Sequence, residues 1–307
     1  RYFSLLNITD FFKTIFGSFT ALIKMFQLYP DVVFGKGGFA SFPALLAARI
    51  WRIPVVIHES DSKPGRVNTW AGKFARKIAL SYPGAAQYFK NPNTAFTGLP
   101  IRKGIAEPLS NGAKEFLNLE DNVPTIVIIG GSQGAQRIND IVIDALPELV
   151  KRYQIIHQCG KANLQSVKQT VEVALKDNPN IYRYHPFDYL NDLSMRMSAG
   201  MADVIVSRAG STIFEIATWA RPSIIIPLPK EISHDQISNA FAYARTGACT
   251  VIEEDNLSDS ILISEIDNIV NNKSIGDRMR SSTKQFSHPE AAVKIADALI
   301  EIALEHE

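Results

Sequence analysis

TIVIIGGSQGAQRIN, residues 125–139, decides how this chain is read. Thr125–Ile129 is an almost unbroken β-branched apolar run, the pattern of a strand buried on both faces of a parallel sheet. Gly130 and Gly131 stop it. From Ala135 the apolar residues take helical spacing, through Ile138, Val142, Ala145 and Leu146. Strand, glycine turn and helix start in succession can hold a phosphate, because backbone without Cβ approaches closely and the free N–H groups and helix dipole face the anion. The same residues also fit a plain tight turn of an α/β protein. No Lys-Ser/Thr follows, so this is not a Walker A loop, and it is not G-x-G-x-x-G, which makes an NAD-dependent dehydrogenase the least fitting reading.

The pattern repeats outward. Downstream, strands are expected at 125–129, 153–158, 181–184, 203–206, 223–227 and 249–252, each followed by a helical segment, with a last helix at 289–305. Upstream, a helix is expected at 8–29, then strands at 31–34, 54–58, near 78–81 and at 95–97, with helices from about Ser41 to Trp51 and after Pro64. Strict alternation predicts doubly wound parallel sheets. Residues 104–122 are polar with little periodicity and read as a linker. The expected organisation is a first domain over 1–103 joined by a C-terminal helix at 288–307, and a second over 104–287. The first residue is Arg1, and the first half opens on a helix with fewer strands than the second. The expectation is therefore a first domain lacking its initial βα unit.

Composition narrows the class. With 307 residues, 46% apolar and 21% charged, the chain can fill two ordinary domains. A net charge of +1 gives no global reason to expect nucleic acid. Cys159 and Cys249 sit at strand-like runs and are expected as buried reduced thiols. No Cys/His spacing resembles a metal site, and His58-Glu59 lacks the second histidine of H-E-x-x-H. Residues 2–29 are rich in apolar groups, but Asp10, Lys13 and Lys24 argue against a membrane span. Phe11, Phe12, Phe16, Phe19, Ile23 and Phe26 give this helix more aromatic surface than one core-facing stripe requires. It either covers a core or lies on a membrane surface, where Lys13 and Lys24 can snorkel. Lys63, Arg66, Lys73, Arg76 and Lys77 form a basic tract without an acid, read either as a solvated face or as a surface for anionic lipid or diphosphate.

Ligands of open α/β sheets bind beyond the carboxyl ends of the strands. The tails there are Gly37-Gly38, His58-Glu59-Ser60-Asp61, Gly130-Gly131-Ser132, Ser207-Arg208-Ala209-Gly210 and Pro227-Leu228-Pro229. Glu215, in the first turn of a helix, suits either the two hydroxyls of a ribose or a capping box with Thr212. Gln236 and Asn239 share a helix face and carry the mixed donors and acceptors that suit sugar hydroxyls, as two ordinary surface amides also would.

Six motifs, GGSQGAQRIN, DVVFGKGGFASFP, IHESDSKPGRVN, GLPIR, SRAGSTIFE and HDQISNA, together resemble the MurG family of bacterial glycosyltransferases from about residue 30 to the C-terminus. That family transfers N-acetylglucosamine from UDP-N-acetylglucosamine to undecaprenyl-diphosphate-linked N-acetylmuramoyl-pentapeptide. The resemblance implies the two-domain GT-B fold, the nucleotide sugar held mainly by the second domain, no cofactor or metal, and peripheral attachment to the cytoplasmic face of the cell membrane through an anionic surface. By the same resemblance Ser132 lies near the donor diphosphate, Glu215 holds the ribose, Arg208 begins the same loop, Gln236 and Asn239 read the sugar hydroxyls, Phe187 adjoins the uracil and Arg102 lies in the interdomain segment. His58, Glu59, Asp61, Asn68 and Asn139 are polar cleft residues. Phe39 departs from the family's frequent Tyr, and Asp61 from an Asn found in some relatives. The family's G-T-G-G-H loop, with its candidate general base, has no counterpart here. The expectation is weak transfer by the chain as given, with His58 and Glu59 first in line as a base. The alternatives are another GT-B enzyme, such as a diacylglycerol glycosyltransferase or a UDP-N-acetylglucosamine epimerase, or a non-catalytic nucleotide-sugar-binding protein.

Overall fold

The computed structural model describes residues 5–131, 135–233 and 235–305, without the side chains of residues 5–12. Two compact units emerge, residues 1–100 with 290–307, and residues 101–289.

The first unit opens with α1 (Leu5–Leu28), followed by β1 (Val33–Gly35), α2 (Phe42–Ile50), β2 (Val55–Glu59), α3 (Arg66–Ala71), β3 (Lys77–Leu80) and β4 (Thr94–Phe96). Its sheet is parallel in the order β1-β2-β3-β4. Leu45, Val55, Ile57, Ile78 and Leu80 form its core. The inward positions of α1 are small or slim. Thr14, Gly17, Ser18, Ala21, Leu22 and Met25 are half-buried and recur at helical spacing. A Cβ at Gly17 would lie 3.9 Å from Pro43 of α2, and Trp51 donates to the Leu22 carbonyl at 3.0 Å. The aromatic face points the other way, with Phe16, Phe19 and Phe26 at least 60% exposed.

The second unit contains α4 (Ala113–Leu117), β5 (Thr125–Ile129), α5 (Gln136–Leu149), β6 (Gln154–Gln158), α6 (Leu164–Ala174), β7 (Tyr184–Phe187), α7 (Asp192–Met201), β8 (Ala202–Ser207), α8 (Thr212–Thr218), β9 (Ser223–Ile225), α9 (Gln236–Ala244), β10 (Cys249–Val251), α10 (Asp259–Asn271) and α11 (Lys273–Ser282). Its six parallel strands run β10-β9-β8-β5-β6-β7. The order reverses between β5 and β8, which opens a crevice at their carboxyl ends. Every residue of β5 is buried, and Ile138, Val142, Ala145 and Leu146 turn the predicted face of α5 into the core. Cys159 and Cys249 are buried and free. The strand expected at 181–184 begins only at Tyr184, because residues 181–183 make a short 3₁₀ turn.

Residues 104–122 are not a linker. Ile105, Ala113 and Leu117 are buried in the second unit. The polar backbone around them is bonded: Leu109 N–H donates to Arg196 O at 2.9 Å, and Arg196 Nε donates back to Glu107 O at 2.8 Å. Gly200 permits this approach, since a Cβ there would lie 2.0 Å from the Leu109 carbonyl oxygen.

The last helix, α12 (Ala291–Leu304), belongs to the first unit. Arg76 pairs with Glu305, and Lys77 with Glu301 at 2.5 Å. Those pairings divide the basic tract, and Lys63, Arg66 and Lys73 are its solvent-exposed members.

Candidate functional site

In the second unit the carboxyl ends of β5, β8 and β9 and the starts of α5, α8 and α9 border a cleft of about 750 Å³. That volume suits a small organic ligand. Gly130 and Gly131 form one wall. Gly130 is tightly enclosed: a Cβ would meet Ala135 N at 3.1 Å and Gln158 O at 3.2 Å, so the neighbouring backbone would have to give. Gly131 takes φ +85°, which favours glycine. Ser132 lies outside the described residues.

Arg208, Glu215, Gln236 and Arg102 all line this cleft. Arg208 is heavily engaged. Its Nη1 donates to the carbonyls of Ile226 and Pro227 at 3.2 and 3.3 Å, and its guanidinium pairs with Glu254. It therefore braces the β9–α9 connection. Gln236 Oε1 accepts the Leu228 N–H at 3.0 Å. Arg102 donates to Asp192 at 2.6 Å in an exposed pair.

Glu215 is not a capping-box residue. The N-cap of α8 is Ser211, which makes no side-chain cap bond, and Thr212 is already helical. Burial holds the Glu215 carboxyl above the ordinary carboxylate range; nearby Arg102 works against this and Asp192 adds to it.

Other anticipated residues sit elsewhere. Phe187 ends β7, and its carbonyl accepts the Cys159 N–H and thiol at 3.0 and 3.2 Å. Tyr189, two residues on, lines the cleft instead. Asn239 is buried on α9, its Nδ2 3.5 Å from Ala209 O. Asn139 is buried in the interior rather than in the cleft. It donates to Cys159 O at 3.0 Å and its Oδ1 lies 3.1 Å from His157 Nε2. An amide oxygen only accepts, so Nε2 carries the proton, and Nδ1 accepts the Tyr184 hydroxyl at 2.9 Å. Sequence reasoning passed over Gln158, Tyr189 and Glu254, all lining the cleft. Their signal was position alone, each just beyond or near a strand end.

The polar strand tail of the first unit is tied mainly to its own loop. His58 is fully buried, its Nε2 3.1 Å from both Gly98 O and Ser81 Oγ. A carbonyl only accepts, so Nε2 is protonated and the basic Nδ1 is enclosed with no hydrogen-bond partner. Glu59 accepts from Asp61 N at 3.0 Å, Gly65 N at 3.2 Å and Asn68 Nδ2 at 2.9 Å. It thereby holds the loop between β2 and α3. Burial raises its carboxyl, against those three donors. Asn68 also donates to His58 O at 3.1 Å, while Asp61 is half-buried in the same loop.

This geometry accompanies clear relationships. Residues 125–295 match the glycosyltransferase family 28 C-terminal domain, and residues 1–80 match the family's N-terminal domain. A Bacillus cereus UDP-N-acetylglucosamine–N-acetylmuramyl-(pentapeptide) pyrophosphoryl-undecaprenol N-acetylglucosamine transferase is 36% identical over 98% of this chain and 82% of its own length. The chain belongs to glycosyltransferase family 28, among its MurG-type members. A Clostridium novyi transferase of the same description is 38% identical over 89% of this chain and 74% of its own. The crystal structure of Acinetobacter baumannii MurG matches with a TM-score of 0.75 at 27% identity, covering 94% of this chain and 79% of that one. A putative UDP-N-acetylglucosamine 2-epimerase from Listeria monocytogenes shares the fold, with a TM-score of 0.73 at 15% identity, covering 96% and 80%. The two parallel-sheet α/β units are those of the GT-B fold.

Burial pushes the His58 ring down to about 4, with Gly98 opposing and Lys36 adding, and pushes the His157 ring down to about 3. The unfolded chain takes up protons that the folded chain refuses, so stability falls as pH drops from about 6.5 toward 4. Proton NMR should show neither ring titrating through that window, with His58→Gln and His157→Gln assigning the resonances. A midpoint near the ordinary value for either ring would contradict the enclosed placement.

Proposed function

We propose that this chain transfers N-acetylglucosamine from UDP-N-acetylglucosamine to the 4-hydroxyl of an undecaprenyl-diphosphate-linked N-acetylmuramoyl-pentapeptide, with inversion, in peptidoglycan synthesis. The hydroxyl oxygen attacks the anomeric carbon, the bond to the diphosphate breaks, UDP leaves, and the hydroxyl proton passes to a base. The observation that carries the donor half is Glu215, placed on the cleft wall in the first turn of α8 rather than in a cap. A carboxylate there accepts two ribose hydroxyls. The helix starts around it offer N–H groups to the diphosphate, and their dipoles stabilise the charge that develops on it. Gln236, its oxygen held by Leu228 N–H, leaves its nitrogen to donate to the sugar. Named relatives at 36–38% identity support the same donor and acceptor. His58 and Glu59, with their proton-accepting atoms enclosed or bonded, are read as the framework of the β2–α3 loop rather than as the base.

Turnover is tested by UDP release with the lipid-linked acceptor. Glu215→Ala should weaken UDP binding in calorimetry by about 1–3 kcal/mol, the worth of hydrogen bonds to a charged acceptor. Equal affinity for wild type and variant would remove Glu215 from the site.

The same reading places the chain at the cytoplasmic membrane face as a peripheral protein. No helix among the described residues is long and apolar enough to cross a membrane. Support for surface docking comes from α1, whose small residues pack inward while Phe16 is 70%, Phe19 63% and Phe26 60% exposed. Exposed Lys63, Arg66 and Lys73 supply positive charge for anionic head groups. In co-sedimentation, binding to anionic vesicles should exceed binding to neutral ones and weaken with salt. Phe16→Ser with Phe19→Ser should lower it while the fold survives. Vesicle binding unchanged in that double variant would place the membrane contact elsewhere.

A further inference from the structure

We propose that Gln158 is a positioning residue for the donor: its buried amide ties the glycine turn after β5 to the β7–α7 connection and so sets the spacing of two cleft walls. The proposal rests on the nucleotide-sugar reading of that cleft.

Gln158 ends β6, is 2% exposed and lines the cleft. Both ends of its side chain are used. Nε2 donates to the Gly131 carbonyl at 3.0 Å, and Oε1 accepts the Leu190 N–H at 2.9 Å. Its own carbonyl accepts the Gly130 N–H at 3.3 Å. The peptide at Gly131 is conformationally free, being glycine at φ +85°, so a bond to its carbonyl selects one orientation of the turn. On the other side, Leu190 sits between Tyr189 and Asp192, the residue that holds Arg102; Tyr189 and Arg102 both line the cleft. One amide thus fixes both walls, and it needs a donor at one end and an acceptor at the other. Among side chains of this length only glutamine has both at neutral pH.

The same strand carries its own control. Gln154 is equally buried and more heavily bonded, accepting Glu120 N–H at 2.8 Å and donating to Val123 O, Thr125 Oγ1 and Glu120 O at 2.9, 3.0 and 3.3 Å. It lies at the amino end of β6, about 13 Å away at the usual rise per residue, and braces the segment entering β5. If buried amides here merely stabilise the sheet, the two should behave alike.

UDP binding to the whole chain by calorimetry separates these cases. Gln158→Met should lower UDP affinity about tenfold, as expected for loss of two buried hydrogen bonds that orient the walls. Gln154→Met should keep UDP affinity within about twofold while lowering the melting temperature. Gln158→Glu keeps the acceptor for Leu190 but, when ionised, has no proton for Gly131. Protonation restores that donor. Its affinity relative to wild type at the same pH should therefore be low near pH 8 and recover toward about pH 6. Referring each value to wild type cancels titration of the other ionisable groups lining the cleft, Arg102, Arg137, Tyr189, Arg208, Glu215 and Glu254, and of His157 and Cys159 beside it. Wild-type UDP affinity in both Gln158 variants at both pH values would overturn the proposal, as would an equal loss in Gln154→Met. Failure of the wild type to bind UDP would instead overturn the nucleotide-sugar reading, and the proposal with it.

Discussion

The close approach of chain at Gly130 governs the second unit. With Ala135 N and Gln158 O just over 3 Å from where a Cβ would stand, a glycine at the end of β5 lets α5 start close to the sheet without displacing either. That proximity brings a helix N-terminus to the reversal point of the strand order, between β5 and β8. The starts of α8 and α9 border the same crevice. Helix N-termini and their dipoles then converge on the cleft proposed for the diphosphate. Arg208 lines the same cleft with its charge already committed to Glu254 and to two carbonyls.

The two units put polar residues at the same topological place and use them differently. In the first, Asn68 ties the Glu59 carboxylate to the His58 carbonyl, Glu59 also holds the backbone of the β2–α3 loop, and the loop's shape is what these bonds produce. In the second, Glu215 and Gln236 border open space. Burial acts on both carboxylates in the same direction, yet Glu59 has three donors to offset it, and among the described residues Glu215 has the field of Arg102 alone. A carboxylate held above its ordinary range by burial, without a partner that consumes its oxygens, is a group poised to gain from ligand hydroxyls.

Periodicity made much of this visible in the amino-acid sequence. The run Thr125–Ile129 and the spacing of Ile138, Val142 and Leu146 are direct consequences of burial on a strand and on a helix face, and the alternation of such runs carried the doubly wound class. Residues 104–122 were opaque because their polar groups are bonded to backbone of α7 and only three scattered apolar residues, Ile105, Ala113 and Leu117, reach the core. For α1 the sequence left open which face packs, because Gly17, Ser18 and Ala21 on the inward side are small and hydrophobicity alone does not mark them. Among the residues that line the cleft, Arg102, Arg208, Glu215 and Gln236 were named from strand tails and motifs. Asn139 was expected in the cleft through the resemblance alone, whereas its amide bonds Cys159 O and lies against His157 in the interior.

The claim that the crevice between β5 and β8 takes the nucleotide sugar is tested most directly by hydrogen exchange with and without UDP-N-acetylglucosamine. The account predicts slowed exchange at the carboxyl end of β5 and in the first turns of α5, α8 and α9, with β1 to β4 unchanged. Protection absent from those turns, or confined to the strand tails of the first unit, would contradict it.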